Sequence, residues 1–92
     1  MLFRSAVLLD VREPFETSFC SVPGSLLLPM RQIPESLGVL PADRVILVLC
    51  HHGTRSLRVT QFLRAQGLDR AVNVAGGINA WSRQVDSSIP CY

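Results

Sequence analysis

The feature that most constrains the fold is an unbroken apolar run at residues 45–49, VILVL, followed directly by Cys50. No polar residue alternates within the run, so a strand formed there would present neither face to water. Strands buried on both faces are typical of the centre of a parallel sheet that helices cover on each side. A membrane-spanning helix needs about 20 apolar residues. The run therefore predicts a central strand and excludes a membrane segment.

The rest of the chain alternates between short apolar runs and helical patterns. We predict three further strands, at residues 6–9, 25–28 and 71–74. We predict four helices, at residues 14–19, 31–37, 55–66 and 78–85. This alternation predicts an α/β fold with right-handed crossovers and a mostly parallel central sheet with helices on both faces. A chain of 92 residues has the length of one domain, and we assign residues 1–92 to a single domain.

Proline and glycine mark the ends of several predicted elements. Pro14 lies at the start of the first helix, where its missing N–H costs nothing, and Pro34 lies in the first turn of the second. Gly67 is expected to end the third helix at the position just after the cap. Residues 22–24, VPG, predict a tight turn before the second strand.

Charge and cysteine usage narrow the function classes. The net charge of +2 is too small for a nucleic-acid-binding protein, which needs a clustered basic face. The first residues, MLFRS, show no long apolar stretch of the kind a signal peptide has. Cys20, Cys50 and Cys91 are far apart in sequence and form no CxxC pair, which argues against a disulfide scaffold. We expect a cytoplasmic protein that binds neither nucleic acid nor membrane.

The loop after the central strand, residues 50–56, CHHGTRS, is the most informative stretch. Ligands of parallel sheets bind beyond the carboxyl ends of the strands, where Cys50 would lie. The amides of a tight strand-to-helix turn form an anion-binding concavity, which would lower the pKa of a cysteine at its base. Gly53 allows the positive φ that such a turn needs, and Arg55 offers a planar fork to an oxyanion. The pattern indicates a reactive thiolate.

Two other interpretations of this loop are weaker. Cys50 could merely fill space at the end of a core strand, as buried cysteines often do, but the polar cluster that follows it favours reactivity. His51 and His52 beside Cys50 suggest a metal site, yet three adjacent residues cannot complete a tetrahedral zinc shell. We therefore expect no metal, and expect the two histidines either to line the rim of the site or to face water.

Four motifs, in this order, resemble those of single-domain rhodaneses, the thiosulfate sulfurtransferase family: LDVREP at 9–14, VPGS at 22–25, CHHGTRS at 50–56 and GGINAW at 76–81. The resemblance implies a small three-layer rhodanese-like domain. It implies that Cys50 takes a sulfane sulfur from a donor such as thiosulfate and holds it as a persulfide, without a metal or organic cofactor. It also implies that the substrate is bound by the loop residues His51, His52, Gly53, Thr54, Arg55 and Ser56.

Two parts of the chain qualify this resemblance. The family's usual Gly-His before the second motif is replaced here by Cys20 and Ser21. Family members commonly have a further strand and helix ahead of the first strand predicted here, which only about five residues precede. The C-terminal residues 80–92 are similar to the end of rhodanese domains fused to enzymes that activate ubiquitin-like proteins, in molybdopterin or thiamine sulfur transfer. That similarity implies a sulfur-carrier protein or a persulfide-donating protein as a partner.

Alternatives remain for the function and for one residue pair. A cysteine phosphatase or arsenate reductase would share the fold, but only residues 51–54 separate Cys50 from Arg55, one residue fewer than the related phosphatases have. A non-catalytic rhodanese-like binding module is the second alternative. Asp10 and Arg12 support the site either directly or, as we favour, as a structural ion pair and cap.

Overall fold

The computed structural model describes residues 6–22 and 24–78. Its strands are β1 (Ala6–Asp10), β2 (Leu26–Leu27), β3 (Val45–Leu49) and β4 (Ala71–Asn73). Its α-helices are α1 (Pro14–Phe19) and α2 (Thr54–Ala65), and two 3-10 helices lie between β2 and β3, at Met30–Gln32 and Pro34–Val39. No helix in this part of the chain is long and apolar enough to cross a bilayer.

The described strands form one sheet in the order β2-β1-β3-β4, and every neighbouring pair is parallel. β3 pairs with β1 along its whole length, from Ala6 opposite Val45 to Asp10 opposite Leu49. On its other side β3 pairs with β4, where Val48 lies opposite Asn73. The prediction of an α/β fold whose central strand is residues 45–49 is confirmed. The carboxyl ends of β1 and β3 meet at one rim.

Both faces of the sheet are buried, by two separate apolar clusters. Leu9 and Val48 belong to the first cluster, in which α2 packs through Val59 and Leu63. Leu8 and Leu49, next along the strands and so on the opposite face, belong to the second cluster. Cys20, Val22 and Ile78 complete that second cluster. This double burial explains why the central run contains no polar residue.

The second predicted helix is wrong in type. Residues 31–37 do not form an α-helix, because the region is divided between the two 3-10 helices. Pro34 has no N–H to donate, and Ser36 has non-helical backbone angles of φ −119° and ψ 17°. The N–H of Ile33 instead reaches the carbonyl of Met30 at 3.2 Å, a contact three residues back.

The other predicted elements agree with the structure to within a residue or two. β2 is shorter than predicted, since it pairs with β1 only through Leu26 and Leu27 at the sheet edge. Gly67 follows α2 with φ +93°, as a residue just after a helix cap often does. The predicted helix at 78–85 lies, apart from Ile78, outside the described residues.

Candidate functional site

The candidate site lies at the rim where β1 and β3 end. Cys50 directly follows β3 and is only 1% exposed. Its carbonyl accepts a hydrogen bond of 2.6 Å from the N–H of Ile78, so the chain after β4 closes over the same place. The N–H of Val11 donates to the carbonyl of Leu49 at 2.9 Å and joins the end of β1 to it. The rim predicted from the sequence is present.

The sulfur of Cys50 lies inside a cradle of hydrogen-bond donors, which we define as the loop from Cys50 to Ser56. The N–H of Gly53 lies 3.0 Å from Sγ, and the N–H of Ser56 lies 3.4 Å from it. The hydroxyl of Ser56 is 3.3 Å from Sγ, and the N–H of Arg55 also contributes. Amides that converge in this way at the start of a helix stabilise a negative charge.

Two opposing effects set the ionisation of Cys50. Burial raises the pKa of the thiol, because a thiolate is poorly solvated in the interior, but hydrogen bonds outweigh this effect. The Ser56 hydroxyl and the N–H groups of Ser56, Gly53 and Arg55 together hold the pKa of Cys50 below its usual value. A lowered pKa gives more thiolate at neutral pH, and the thiolate is the nucleophile.

Two glycines make the cradle sterically possible. Gly53 has φ +96°, as expected from the sequence, and directs its N–H to Sγ. Gly77 has φ +62°, and a Cβ there would lie 2.2 Å from the carbonyl oxygen of Cys50. A side chain at that position would collide with backbone rather than with a movable group. Glycine at position 77 is therefore a packing requirement of the loop that follows Cys50.

Asn73 is a part of the site that the sequence does not predict. Its Nδ2 donates to the carbonyl of Gly53 at 3.3 Å. Its Oδ1 lies within hydrogen-bonding distance of the hydroxyl of Ser56, which donates its single proton either to Asn73 or to the Cys50 sulfur. Asn73 thus holds two members of the cradle from the neighbouring strand β4. The only sequence signal was a polar residue at the end of an apolar strand, three residues before Gly76.

Arg55 contacts a partner that the sequence also does not indicate. Its two terminal nitrogens bind the two carboxylate oxygens of Glu16 on α1, at 2.5 and 2.8 Å. Glu16 itself is only 7% exposed, and its Oε1 also accepts a hydrogen bond of 2.9 Å from the N–H of Glu13. The guanidinium that was expected to bind an oxyanion is therefore engaged by a carboxylate of the same chain.

Asp10 and Arg12 form a fully buried ion pair beneath the rim. The Nη2 of Arg12 is 2.7 Å from one carboxylate oxygen of Asp10, and neither side chain is exposed. The same Nη2 donates to the carbonyl of Cys20 at 2.6 Å, and Nη1 lies 3.8 Å from the sulfur of Cys20. These contacts join β1 to the segment after α1, which agrees with the structural role we favoured.

The remaining predicted binding residues lie on the outer part of the loop. His51 is half-buried and His52 exposed, and their rings are in contact at a tilt of 32°, with centroids 3.9 Å apart. Thr54 is exposed as the first residue of α2. Among residues 6–22 and 24–78, no three His, Cys, Asp or Glu side chains cluster as a metal site requires. Trp81 and Cys91 lie outside the described residues.

The sequence of this chain is similar to those of known proteins. The family model of the rhodanese-like domain matches residues 1–84. A sulfurtransferase of Allochromatium vinosum is 39% identical over 77 residues, which are 84% of this chain and 72% of that protein. The chloroplastic rhodanese-like/PpiC domain-containing protein 12 of Arabidopsis thaliana is 42% identical over 95% of this chain. The probable adenylyltransferase/sulfurtransferase MoeZ of Mycobacterium tuberculosis is 34% identical over 97% of it.

The chain spans only 30% of the Arabidopsis protein and 23% of the Mycobacterium protein. Solved structures give the same assignment. A rhodanese-related protein from Thermoplasma volcanium superposes with a TM-score of 0.82 at 38% identity, covering 89% of this chain and 81% of that one. A human single-domain sulfurtransferase superposes with a TM-score of 0.78 at 29% identity, covering 87% and 83% of the two chains.

Proposed function

The chain belongs to the rhodanese-like domain family, and from this membership we propose that it is a sulfurtransferase that carries sulfane sulfur as a persulfide on Cys50. Sulfur transfer at the level of the family is supported by the similarity to sulfurtransferases. The finer proposal, a covalent persulfide with thiosulfate or another persulfide as donor, depends on the site itself.

The observation that carries this proposal is the set of donors around the sulfur of Cys50. The N–H of Gly53 at 3.0 Å and that of Ser56 at 3.4 Å stabilise a thiolate before the reaction. The same amides would stabilise the negative charge of the outer sulfur once a persulfide has formed, without a proton transfer. A displacement at sulfur of this kind requires no metal or organic cofactor.

The proposed reaction consists of two successive displacements at sulfur. The Cys50 thiolate attacks the outer sulfur of thiosulfate, and the S–S bond of the donor breaks with its electron pair leaving on sulfite. The product is Cys50–S–S⁻. A thiophilic acceptor such as cyanide then attacks the outer sulfur, thiocyanate departs, and the Cys50 thiolate is restored. Rates of such displacements depend on the thiolate fraction and on access to the sulfur.

A protein partner forms part of this proposal. MoeZ is described as an adenylyltransferase as well as a sulfurtransferase, so a domain similar to this chain occurs beside an adenylylating one. We propose that this chain passes sulfur to a sulfur-carrier protein or receives it from a persulfide-donating protein. We propose that the reaction takes place in the cytoplasm, where thiols stay reduced. Cys20 and Cys50, the two cysteines that the structure describes, are not disulfide-bonded.

Mass spectrometry after incubation with thiosulfate tests the proposal directly. We expect the intact protein to gain one sulfur atom, and peptide mapping to place it on Cys50. Cys50→Ser should lose both this adduct and the production of thiocyanate from cyanide. Cys20→Ser is the matched control, since Cys20 is equally a buried thiol but lies beside Arg12. A protein that forms no adduct with any sulfane donor would instead be a non-catalytic binding module.

A further inference from the structure

The pair of Glu16 and Arg55 changes what the site presents to an approaching anion. A guanidinium offers a carboxylate and an oxyanion donor the same planar fork of two parallel N–H groups. Here both terminal nitrogens of Arg55 bind the two oxygens of Glu16, at 2.5 and 2.8 Å. The carboxylate of Glu16 therefore engages the two N–H groups with which Arg55 would bind the sulfonate end of thiosulfate.

The charges near the sulfur lead to the same conclusion. Arg55 contributes one positive charge, Glu16 one negative charge and the Cys50 thiolate another, so the three groups together are negative. Glu16 is 7% exposed and Arg55 33%, so solvent screens this pair less than it would a surface pair. Thiosulfate brings two further negative charges, and repulsion between like charges opposes its approach.

We propose that Glu16 is a specificity-determining residue, which selects sulfane-sulfur donors with at most one negative charge, such as organic persulfides, over dianionic thiosulfate. The inference rests on the proposed function, because it concerns the donor for the same Cys50. Glu16 acts by engaging the fork of Arg55, so the discrimination falls on donor binding and not on the displacement at sulfur. We therefore expect replacement of Glu16 to change KM for the donor and not kcat.

Two donors of nearly the same size isolate the effect of charge. Methanethiosulfonate, CH3SO2S⁻, carries one negative charge, whereas thiosulfate carries two. The Cys50 thiolate displaces methanesulfinate from the first and sulfite from the second, with the electron pair of the broken S–S bond, and both reactions give the same Cys50–S–S⁻. Steady-state kinetics with each donor at one fixed ionic strength compare only their recognition.

Glu16→Gln is the decisive variant. The amide oxygen of glutamine can still accept the N–H of Glu13, which keeps α1 in place, while the negative charge is removed. We expect KM for thiosulfate to fall about tenfold, as a charge-assisted hydrogen bond to Arg55 would give. KM for methanethiosulfonate should fall about threefold or less, because a donor with one negative charge gains less from the removal of the Glu16 charge than a donor with two. For both donors kcat should change by less than about twofold.

Glu13→Gln is the matched control, since it removes the same charge three residues earlier on a side chain that pairs with Arg31. It should leave both donors unchanged. The double variant Glu16→Gln/Arg55→Ala should lose the gain for thiosulfate, because Arg55 provides it. Arg55→Ala alone leaves Glu16 negative and should lower thiosulfate use more than methanethiosulfonate use.

The outcomes separate this inference from the proposed function. If Glu16→Gln changes both donors equally, alters kcat alone or weakens thiosulfate binding, the inference is wrong, although sulfur transfer stands. If neither donor places sulfur on Cys50 of the unmodified protein, the proposed function fails first. Should Glu16→Gln not fold, the ratio of the two donors in Arg55→Ala decides, and an unchanged ratio overturns the inference.

Discussion

Two carboxylate–arginine pairs near α1 use the same chemical groups for different purposes. Asp10 and Arg12 precede the helix and are both 0% exposed, whereas Glu16 of α1 and Arg55 of the loop are 7% and 33% exposed. In each pair the guanidinium contacts both carboxylate oxygens. The kind of ion pair therefore does not distinguish a fully buried arginine from one in the loop around Cys50.

The surroundings of the two guanidinium groups explain the difference. Arg12 also donates to the carbonyl of Cys20 at 2.6 Å and to that of Glu16 at 3.5 Å. Its side chain therefore satisfies backbone groups in the protein interior as well as Asp10. Arg55 lies at the rim of the cradle and is reached by solvent. Replacing Asp10 leaves a fully buried Arg12 without its counter-ion. Truncating Arg55, whose side chain is 33% exposed, removes the group that covers Glu16 and lets water approach that carboxylate.

Breaking the buried pair should give the largest effect. Asp10→Asn leaves the charge of Arg12 buried without its counter-ion, and we expect a loss of about 3–5 kcal/mol in the free energy of unfolding. Small domains have only about 5–15 kcal/mol in total, so the variant should be largely unfolded in mild urea. Urea unfolding followed by circular dichroism measures this. Asp69→Asn, at an exposed position, is the control.

A loss below about 1 kcal/mol in Asp10→Asn would contradict the structural role of this pair.

Breaking the rim pair should cost much less stability. Arg55→Ala should lower the free energy of unfolding by about 1 kcal/mol, because the side chain is a third exposed and water replaces part of the interaction. The difference from the unmodified protein should shrink further in high salt. Equal losses in the free energy of unfolding of Arg55→Ala and Asp10→Asn, measured in the same urea series, would contradict this difference between the two pairs.

The smallest effects concern the ionisation of Cys50. Burial raises the pKa of Cys50 and the hydrogen bonds of Ser56, Gly53 and Arg55 lower it, but Arg55 contributes through its backbone N–H. Ser56→Ala removes the side-chain hydrogen bond and should raise the pKa of Cys50. Arg55→Ala keeps the N–H and should leave it almost unchanged. The rate of alkylation against pH, measured with Cys20 and Cys91 replaced by serine, reports the pKa.

The pH dependence of sulfur transfer follows from the same shift. A thiolate reacts and a thiol does not, so the rate should rise as pH increases through the pKa of Cys50 and then level off. Because that pKa is lowered, the rise should be complete at a lower pH than for an ordinary cysteine. In Ser56→Ala the rise should move to higher pH. Equal profiles for Ser56→Ala and Arg55→Ala would show that the hydroxyl does not contribute.

Much of the fold and the position of Cys50 against the amides of the loop could be predicted from the sequence, because their signals are local. An apolar run without polar alternation specifies a strand buried on both faces, and Val45–Leu49 is that strand. The tight turn between a strand and a helix requires a residue with positive φ, and Gly53 supplies it. A cysteine placed between them must lie against the amides of the turn, as Cys50 does.

The tertiary structure alone decided which side chains partner the loop. Glu16 and Arg55 are 39 residues apart, and Ser56 and Asn73 are 17 apart. Such contacts depend on how α1 and β4 pack against the cradle, and no periodicity or spacing in the sequence encodes that packing. The sequence determined that Arg55 is a cation beside an anion-binding turn. Whether its charge is available to a donor was decided by Glu16, which only the packing of α1 brings to it.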